Sequence, residues 1–256
     1  MRLALIQSDI YWEDIQANLS MFEEKIWKMD KVADVIVLPE MFTTGFSMNA
    51  VQLAEPMNLT TQKWMKQMAS QTQAAICGSY IVKENGYFFN RFLWVQPDGT
   101  SFSYDKRHLF TFVEEDKTYT AGKNNLIINW RGWKFLPQIC YDLRFPIWSR
   151  NKKENSYDCL IYVANWPHKR AMAWNTLLKA RAIENVSYSV GVNRIGVDGK
   201  GLYYSGDSSA YDFVGNQIVL ASENDTILFI DLDKNKLDDF RNEFPALNDA
   251  DSFILN

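Results

Sequence analysis

The sequence predicts a mixed α/β protein, and three observations carry that expectation. Apolar runs of strand length alternate with segments of helical spacing early in the chain, two hairpin signals stand between later runs, and the strands are apolar along their whole length. Strands of that kind leave no wet face, so helices are expected to cover the sheets. The chain has 256 residues, 47% hydrophobic and 23% charged, which is enough to build a large core and too apolar for disorder. No Pro-, Gly- or Ser-rich linker and no internal repeat divides it, so residues 1–256 are expected to form one domain.

RLALI at 2–6 reads as a buried strand, and Asp14 then caps a helix whose apolar face is Ile15, Leu19, Phe22 and Ile26. Ala17, three residues after the cap, rules out a capping box. DVIVL at 34–38 is a second strand, stopped by Pro39 and followed at once by Glu40. A helix is expected from Thr61 to Gln73, and AAICGSYIV returns as a strand. The hairpins are FFNRFLWV with SFSYD across Pro97-Asp98-Gly99, and NLIINW with WKFLPQI across Arg131-Gly132. YDCLIYVA is a strand, and AWNTLLKARAIENV is a helix with Trp174, Leu177, Leu178, Ala182 and Val186 on one side. SYSVGVNRI, GNQIVLAS and DTILFIDL complete the strands before an exposed, charged helix, KNKLDDFRNEF.

A net charge of -4 and a pI near 5.3 argue against a phosphate-driven nucleic-acid binder. MRLALIQSDIYW does not read as a signal peptide, and no segment approaches the roughly 18 apolar residues of a membrane span, so no membrane partner is expected. Three cysteines in a chain this size suggest reduced thiols and a cytoplasmic setting. Cys77 and Cys159 lie within apolar runs and read as core. With His108 and His168 as the only histidines, and no CxxC or HExxH spacing, no zinc site is expected.

In α/β folds ligands collect beyond the carboxyl ends of strands. Three potentially reactive side chains share that position: Glu40 after VIVLP, Lys106 after SFSYD, and Cys140 after FLPQI. Taken alone, Cys140 favours a core reading, because free cysteine is among the most buried residue types. Its polar sequel, Asp142 and Arg144, favours a nucleophile at a strand end. A nucleophile must be a thiolate, and a free thiol is mostly protonated at neutral pH, so a nearby cation and base are required. Lys106 is either a solvated lysine or an ammonium that holds Cys140 as thiolate and stabilises an oxyanion. Glu40 is either a solvated loop residue or, walled by Met41, Phe42 and Phe46, a partly desolvated general acid/base. His108, two residues from Lys106, could share its face and compete as the base; His168 is a weaker rival.

LPEMFTTGF, YDKRHLF, QICYDLRFP, ANWP, LLKARAIEN and NRIGVDGKGLYYSGDS together resemble the nitrilase superfamily of carbon-nitrogen hydrolases, in the family's order and from the first strand to the last. EMFTTGFSM and YDKRHLF are most similar to its omega-amidase branch. The resemblance implies a four-layer αββα sandwich of two mixed sheets flanked by helices, pairing into a homodimer. It implies Cys140 as nucleophile, Glu40 as general base, Lys106 as the oxyanion-stabilising cation, with the Tyr141 N–H beside it, and no cofactor. A second glutamate follows the lysine motif in that family; TFVEEDKTYTAG offers Glu114 and Glu115, and Glu115 is favoured from its distance to Ala121-Gly122.

The expected reaction is hydrolysis of a small omega-amide such as 2-oxoglutaramate or 2-oxosuccinamate through a Cys140 thioester. Alternatives are a nitrilase, an N-carbamoyl amino acid hydrolase or an acyl-transferring relative, and a noncatalytic binding protein on the same fold. Phe46, Asn165 and Trp166 are expected as pocket walls. Arg144 is expected to pair with a nearby acid, the alternative being a bidentate clamp on a substrate carboxylate.

Overall fold

The computed structural model describes residues 1–152 and 155–253. In chain order the strands begin β1 (Arg2–Gln7), β2 (Val35–Val37), β3 (Ala75–Glu84), β4 (Tyr87–Val95), β5 (Ser101–Asp105), β6 (Ile128–Trp130) and β7 (Trp133–Ile139). They continue as β8 (Cys159–Ala164), β9 (Tyr188–Asn193), β10 (Ile195–Val197), β11 (Tyr203–Ser205), β12 (Ser209–Tyr211), β13 (Gln217–Leu220) and β14 (Thr226–Asp231). The α-helices are α1 (Ile15–Trp27), α2 (Ala50–Leu53), α3 (Thr60–Thr72), α4 (Glu115–Thr118), α5 (Ala171–Asn185) and α6 (Lys234–Glu243).

Two six-stranded sheets run in the orders β14-β1-β2-β3-β4-β5 and β13-β12-β9-β8-β7-β6. Each is built on one plan: three parallel strands at the centre, β1-β2-β3 or β7-β8-β9, with antiparallel strands on both sides. No sequence repeat announced this likeness. β10 and β11 form a separate ribbon.

Alternation along the strands explains why they are apolar on both faces. Leu3, Leu5, Val35, Val37 and Cys77 of the first sheet meet Phe135, Ile139, Ile161, Val163 and Val190 of the second in a shared core. Ala4, Ile6, Ile36 and Ile76 point the other way, onto Leu19, Phe22 and Ile26 of α1 and Met65 and Met68 of α3. Leu136, Leu160 and Tyr162 likewise face Trp174, Leu178 and Ala182 of α5. The architecture is thus the αββα sandwich that the resemblance implied. At Gly191 a Cβ would stand 2.4 Å from Leu178 and 2.5 Å from Trp174, so only glycine lets α5 lie this close to β9.

Most elements match the sequence reading, including the Asp14 cap, whose carboxylate accepts from Ala17 N at 3.0 Å. Three points differ. SYSVGVNRI divides into β9 and β10, and the three-residue strands β11 and β12 are too short to show a period. NLIINW pairs only over Ile128–Trp130. The last helix is not fully exposed: Leu237 is buried in the shared core, and Arg241 and Lys234 both reach the buried Asp158. Among the described residues no helix is long and apolar enough to cross a membrane.

Candidate active site

Glu40 stands where β2 gives out. Leu38 N still donates to Cys77 O at 2.7 Å, but Pro39 has no N–H to continue the ladder. The chain turns, and Ser79 of β3 fixes the turn by accepting from Met41 N at its hydroxyl and from Phe42 N at its carbonyl. Asn18 of α1 ties the following loop down through Thr43 O, at 2.8 Å.

Lys106 follows β5 directly, its own N–H donating to Asn90 O at 3.0 Å. Gly122 N donates to Lys106 O at 2.8 Å, and a Cβ on Gly122 would lie 2.0 Å from Asp105 O. Cys140 opens a 3-10 turn at the end of β7 and adopts φ +45°, a left-handed conformation that a non-glycine residue holds only when its surroundings impose it.

These strand ends converge. Glu40 is 0% exposed and Lys106 1%. Lys106 Nζ donates to Glu40 Oε1 and to both oxygens of Glu115, each at 3.0 Å. Glu40 Oε1 also accepts from Asn90 Nδ2 at 2.7 Å, and its Oε2 accepts from Asn165 N at 2.7 Å. Asn165 Nδ2 donates to Glu40 O at 2.7 Å. Cys140 Sγ lies 4.0 Å from Asn165 O. Glu115 begins α4 and also accepts from Phe110 N.

Burial alone would lower the Lys106 ammonium, but Glu115, Glu40 and Cys140 outweigh it and raise it above its ordinary range. Burial raises the Glu115 carboxyl against the pull of Lys106. The Cys140 thiol is pushed well above its ordinary value by burial and then by Glu40, with Lys106 opposing. The Lys106 ammonium that was expected to favour a thiolate is also shared with two carboxylates, Glu40 and Glu115.

All nine residues expected at the site come together. Phe46, Lys106, Cys140, Tyr141, Arg144, Asn165 and Trp166 line one cavity of about 100 Å³, with Glu40 and Glu115 behind Lys106. The Phe46 ring lies 5.0 Å from Lys106 Nζ. Asn165 is more than the wall it was expected to be, since it holds Glu40 from two sides. Of the two candidate glutamates it is Glu115 that reaches Lys106, while Glu114 is exposed and pairs with Lys117.

His108, the rival base, does not line the cavity; β5 ends at Asp105, and the His108 ring turns to Asp142, Nδ1 to Oδ1 2.8 Å, stacked on Phe145 at 3.8 Å. His168 is exposed beside Tyr203. Arg144 has no acid partner among the described residues; its guanidinium lies 5.0 Å over the Trp166 ring at the cavity's mouth. Arg170 and Lys200 line the same mouth, and its one carboxylate, Asp198, already accepts from Tyr204 OH, Lys200 N and Leu202 N.

Sequence reasoning missed Asn90, Arg170, Lys200 and Asp142's partners. Asn90 did leave a signal, as a polar residue inside the apolar strand FFNRFLWV. Among the described residues no three His, Cys, Asp or Glu side chains are grouped to hold a metal ion.

The site thus sets a sheet-end cysteine beside a buried glutamate-lysine pair, on two facing mixed sheets. The chain belongs to the carbon-nitrogen hydrolase family, whose profile matches residues 2–242, and it is an amidase of that family. It is 46% identical to an omega-amidase YafV from Yersinia enterocolitica, over 100% of this chain and 98% of that one. To a 2-oxoglutaramate amidase of Bacillus subtilis it is 30% identical, with 96% of each chain covered. A crystal structure of a CN-hydrolase superfamily protein from Xanthomonas campestris, with an arsenic adduct in the active site, superimposes with a TM-score of 0.97 at 42% identity, covering 100% of this chain and 99% of that one.

Proposed function

We propose that this enzyme hydrolyses the terminal amide of a small omega-amide through a thioester on Cys140. The observation that carries the reading is the buried Glu40–Lys106–Glu115 chain set against a thiol on a strained strand end. Glu40 takes the Cys140 proton as sulfur attacks the amide carbonyl. Its Oε2 has one strong donor, Asn165 N, and so keeps a lone pair for that proton. The oxyanion forms against Lys106 Nζ and the N–H of Tyr141; one such donor is typically worth about 10²- to 10³-fold in rate. Glu40 returns the proton to the departing nitrogen, which leaves as ammonia. It then deprotonates a water that attacks the thioester, and gives the proton back to sulfur, so amide and water become carboxylic acid and ammonia, which part as carboxylate and ammonium.

Glu115 touches no reacting atom in this scheme. With Glu40 it keeps the ammonium charged and aimed, because a desolvated lysine with no anion beside it would lose its proton.

The mouth supports an anionic substrate. Arg144, Arg170 and Lys200 bring three cations to a small cavity walled by Phe46, Phe110 and Trp166, and its one acid is already hydrogen-bonded. A short acyl chain ending in carboxylate fits that arrangement, as in 2-oxoglutaramate or 2-oxosuccinamate; the omega-amidase and 2-oxoglutaramate amidase relatives support the same class. Three free cysteines suit a reducing compartment, the cytoplasm in this reading. Pairing into a homodimer rests on the family resemblance.

The test is mass spectrometry of enzyme quenched during turnover of 2-oxoglutaramate, alongside ammonia release from amides, nitriles and carbamoyl compounds. The acyl group is expected on the Cys140 peptide. Turnover of nitriles without amides, or an adduct-free Cys140 during steady ammonia release, overturns the proposal.

A further inference from the structure

Asp142 is a fully buried carboxylate in the nucleophile's own turn, two residues after Cys140, and the mechanism above gives it no role. Asp142 makes five contacts, two within the turn and three across to the other sheet. Within the turn, Oδ2 accepts from Ile139 N at 3.0 Å, and Asp142 O accepts from Phe145 N at 3.0 Å. These bonds bracket Cys140 and help hold it at φ +45°. Across to the other sheet, Oδ2 accepts from Tyr104 OH at 2.7 Å, and Oδ1 accepts from His108 N at 2.9 Å with His108 Nδ1 2.8 Å away. Tyr104 and His108 stand two residues before and two residues after Lys106. One carboxylate therefore grips the lysine's segment on both sides while it sets the cysteine's turn.

Tyr104 is fixed in its turn: its oxygen accepts from Trp148 Nε1 at 2.9 Å and from Arg107 N at 3.2 Å. His108 is held flat against Phe145, from the nucleophile's side of the molecule. Every lone pair of Asp142 that faces these groups is used, so it exchanges no proton with substrate. What it governs is distance, since Lys106 comes from the first sheet and the Tyr141 N–H from the second, and an oxyanion must reach both at once.

We infer that Asp142 is a positioning residue: its clasp on Tyr104 and His108 sets the spacing between Lys106 and the Cys140–Tyr141 turn, and so the fit of the oxyanion. The inference rests on the thioester reading above. A carboxamide at this position would turn an N–H₂ toward donors on one side and open the clasp there.

The test compares two reactions of the same thiol. Amide hydrolysis passes through an oxyanion; alkylation of Cys140 by iodoacetamide displaces iodide at a saturated carbon and does not. In Asp142→Asn, kcat is expected to fall by about 10²-fold, with KM changed less than threefold and the Cys140 alkylation rate held within a similar factor. Tyr104→Phe removes one arm of the clasp, and His108→Ala removes the ring contact of the other while its backbone N–H still donates; both leave the carboxylate in the turn. They are expected to lower kcat by about tenfold with KM unchanged, and they decide the matter if Asp142→Asn does not fold. Folded Tyr104→Phe and His108→Ala enzymes with wild-type kcat overturn the inference. So does a parallel loss of alkylation and turnover, the pattern of a merely structural residue. Failure of the thioester reading shows elsewhere, as wild-type turnover without an acyl adduct on Cys140.

Discussion

At the floor of the cavity Lys106 is almost wholly buried and shares its ammonium between two carboxylates; at the mouth Arg144 is exposed and lies over Trp166 with no carboxylate against it among the described residues. Both are cations within one small cavity. The buried one is neutralised in advance, because a charge taken out of water must be paired and hydrogen-bonded. It can meet an oxyanion with little rearrangement. The exposed one is solvated and positioned by an aromatic face, and in the proposed reaction the anion it meets is the substrate's. On that proposal the chemistry is specified at the floor and the choice of substrate at the mouth, and the two should separate under mutation.

The largest effect is expected at Glu40, which serves both half-reactions in the proposed mechanism. Glu40→Gln should lower kcat by about 10⁴-fold, the upper end for a general acid/base. The thiol itself should behave in the opposite sense. Glu40 raises Cys140, so removing its charge stabilises the thiolate, and the pH midpoint for iodoacetamide labelling should move down. Lys106 lowers Cys140, so Lys106→Met should move that midpoint up. Cys77 and Cys159, fully buried and also raised by burial, should stay unlabelled in the folded enzyme. A labelling midpoint that rises in Glu40→Gln would show that the carboxylate does not face the thiol.

Next is the stability of the floor. Lys106→Met removes the cation from two buried carboxylates, and breaking a buried pair from one side typically costs about 3–5 kcal/mol. The expected loss in unfolding free energy should be partly recovered in Lys106→Met/Glu115→Gln, where one orphaned charge is gone, while turnover stays abolished. Because the folded Lys106 value is raised, its contribution is present below the unfolded value of about 10.4 and is lost only as pH rises beyond it. The wild-type advantage over Lys106→Met should therefore hold through neutral pH and fade only at strongly alkaline pH. Denaturant unfolding of the three proteins at pH 7 checks the order of stability.

The floor was legible in the sequence because it is made of strand ends. An apolar run that stops and turns polar is a local signal, and VIVLP-Glu40, SFSYD-Lys106 and FLPQI-Cys140 each carry one, with six family motifs to bind them together. What could not be read was which side chains meet across the sheets. Asn90 reaches Glu40 across 50 residues and Asp142 reaches His108 across 34. His108 looked like a base only under strand alternation, which stops where β5 ends at Asp105. Arg144 was expected beside an acid because an exposed arginine commonly finds one; which ring it would lie over depends on β8 and the loop after it, not on its neighbours in sequence. Helices covering the sheets were legible from strands apolar on both faces, and the αββα layering came from the resemblance alone, whereas the matching plan of the two sheets was not legible, because pairing order leaves no repeat in the residues themselves.

The smallest expected effect tests the mouth. Arg144→Met keeps much of the side chain's length and apolar contact with Trp166 but removes the planar pair of donors. A hydrogen bond to a charged group is worth about 1.5–3 kcal/mol, so KM for 2-oxoglutaramate should rise about 10- to 100-fold. kcat should change little, because Arg144 lies outside the Glu40–Lys106–Glu115 chain. A neutral amide of similar length, such as butyramide, offers no carboxylate to lose, and its kcat/KM should be unaffected. Wild-type KM for the anionic substrate should also rise with salt, since an exposed guanidinium is screened, whereas its kcat, set at the buried floor, should not follow. If Arg144→Met instead lowers kcat equally on both amides with KM unchanged, the guanidinium acts on the reacting atoms and the division between floor and mouth is wrong.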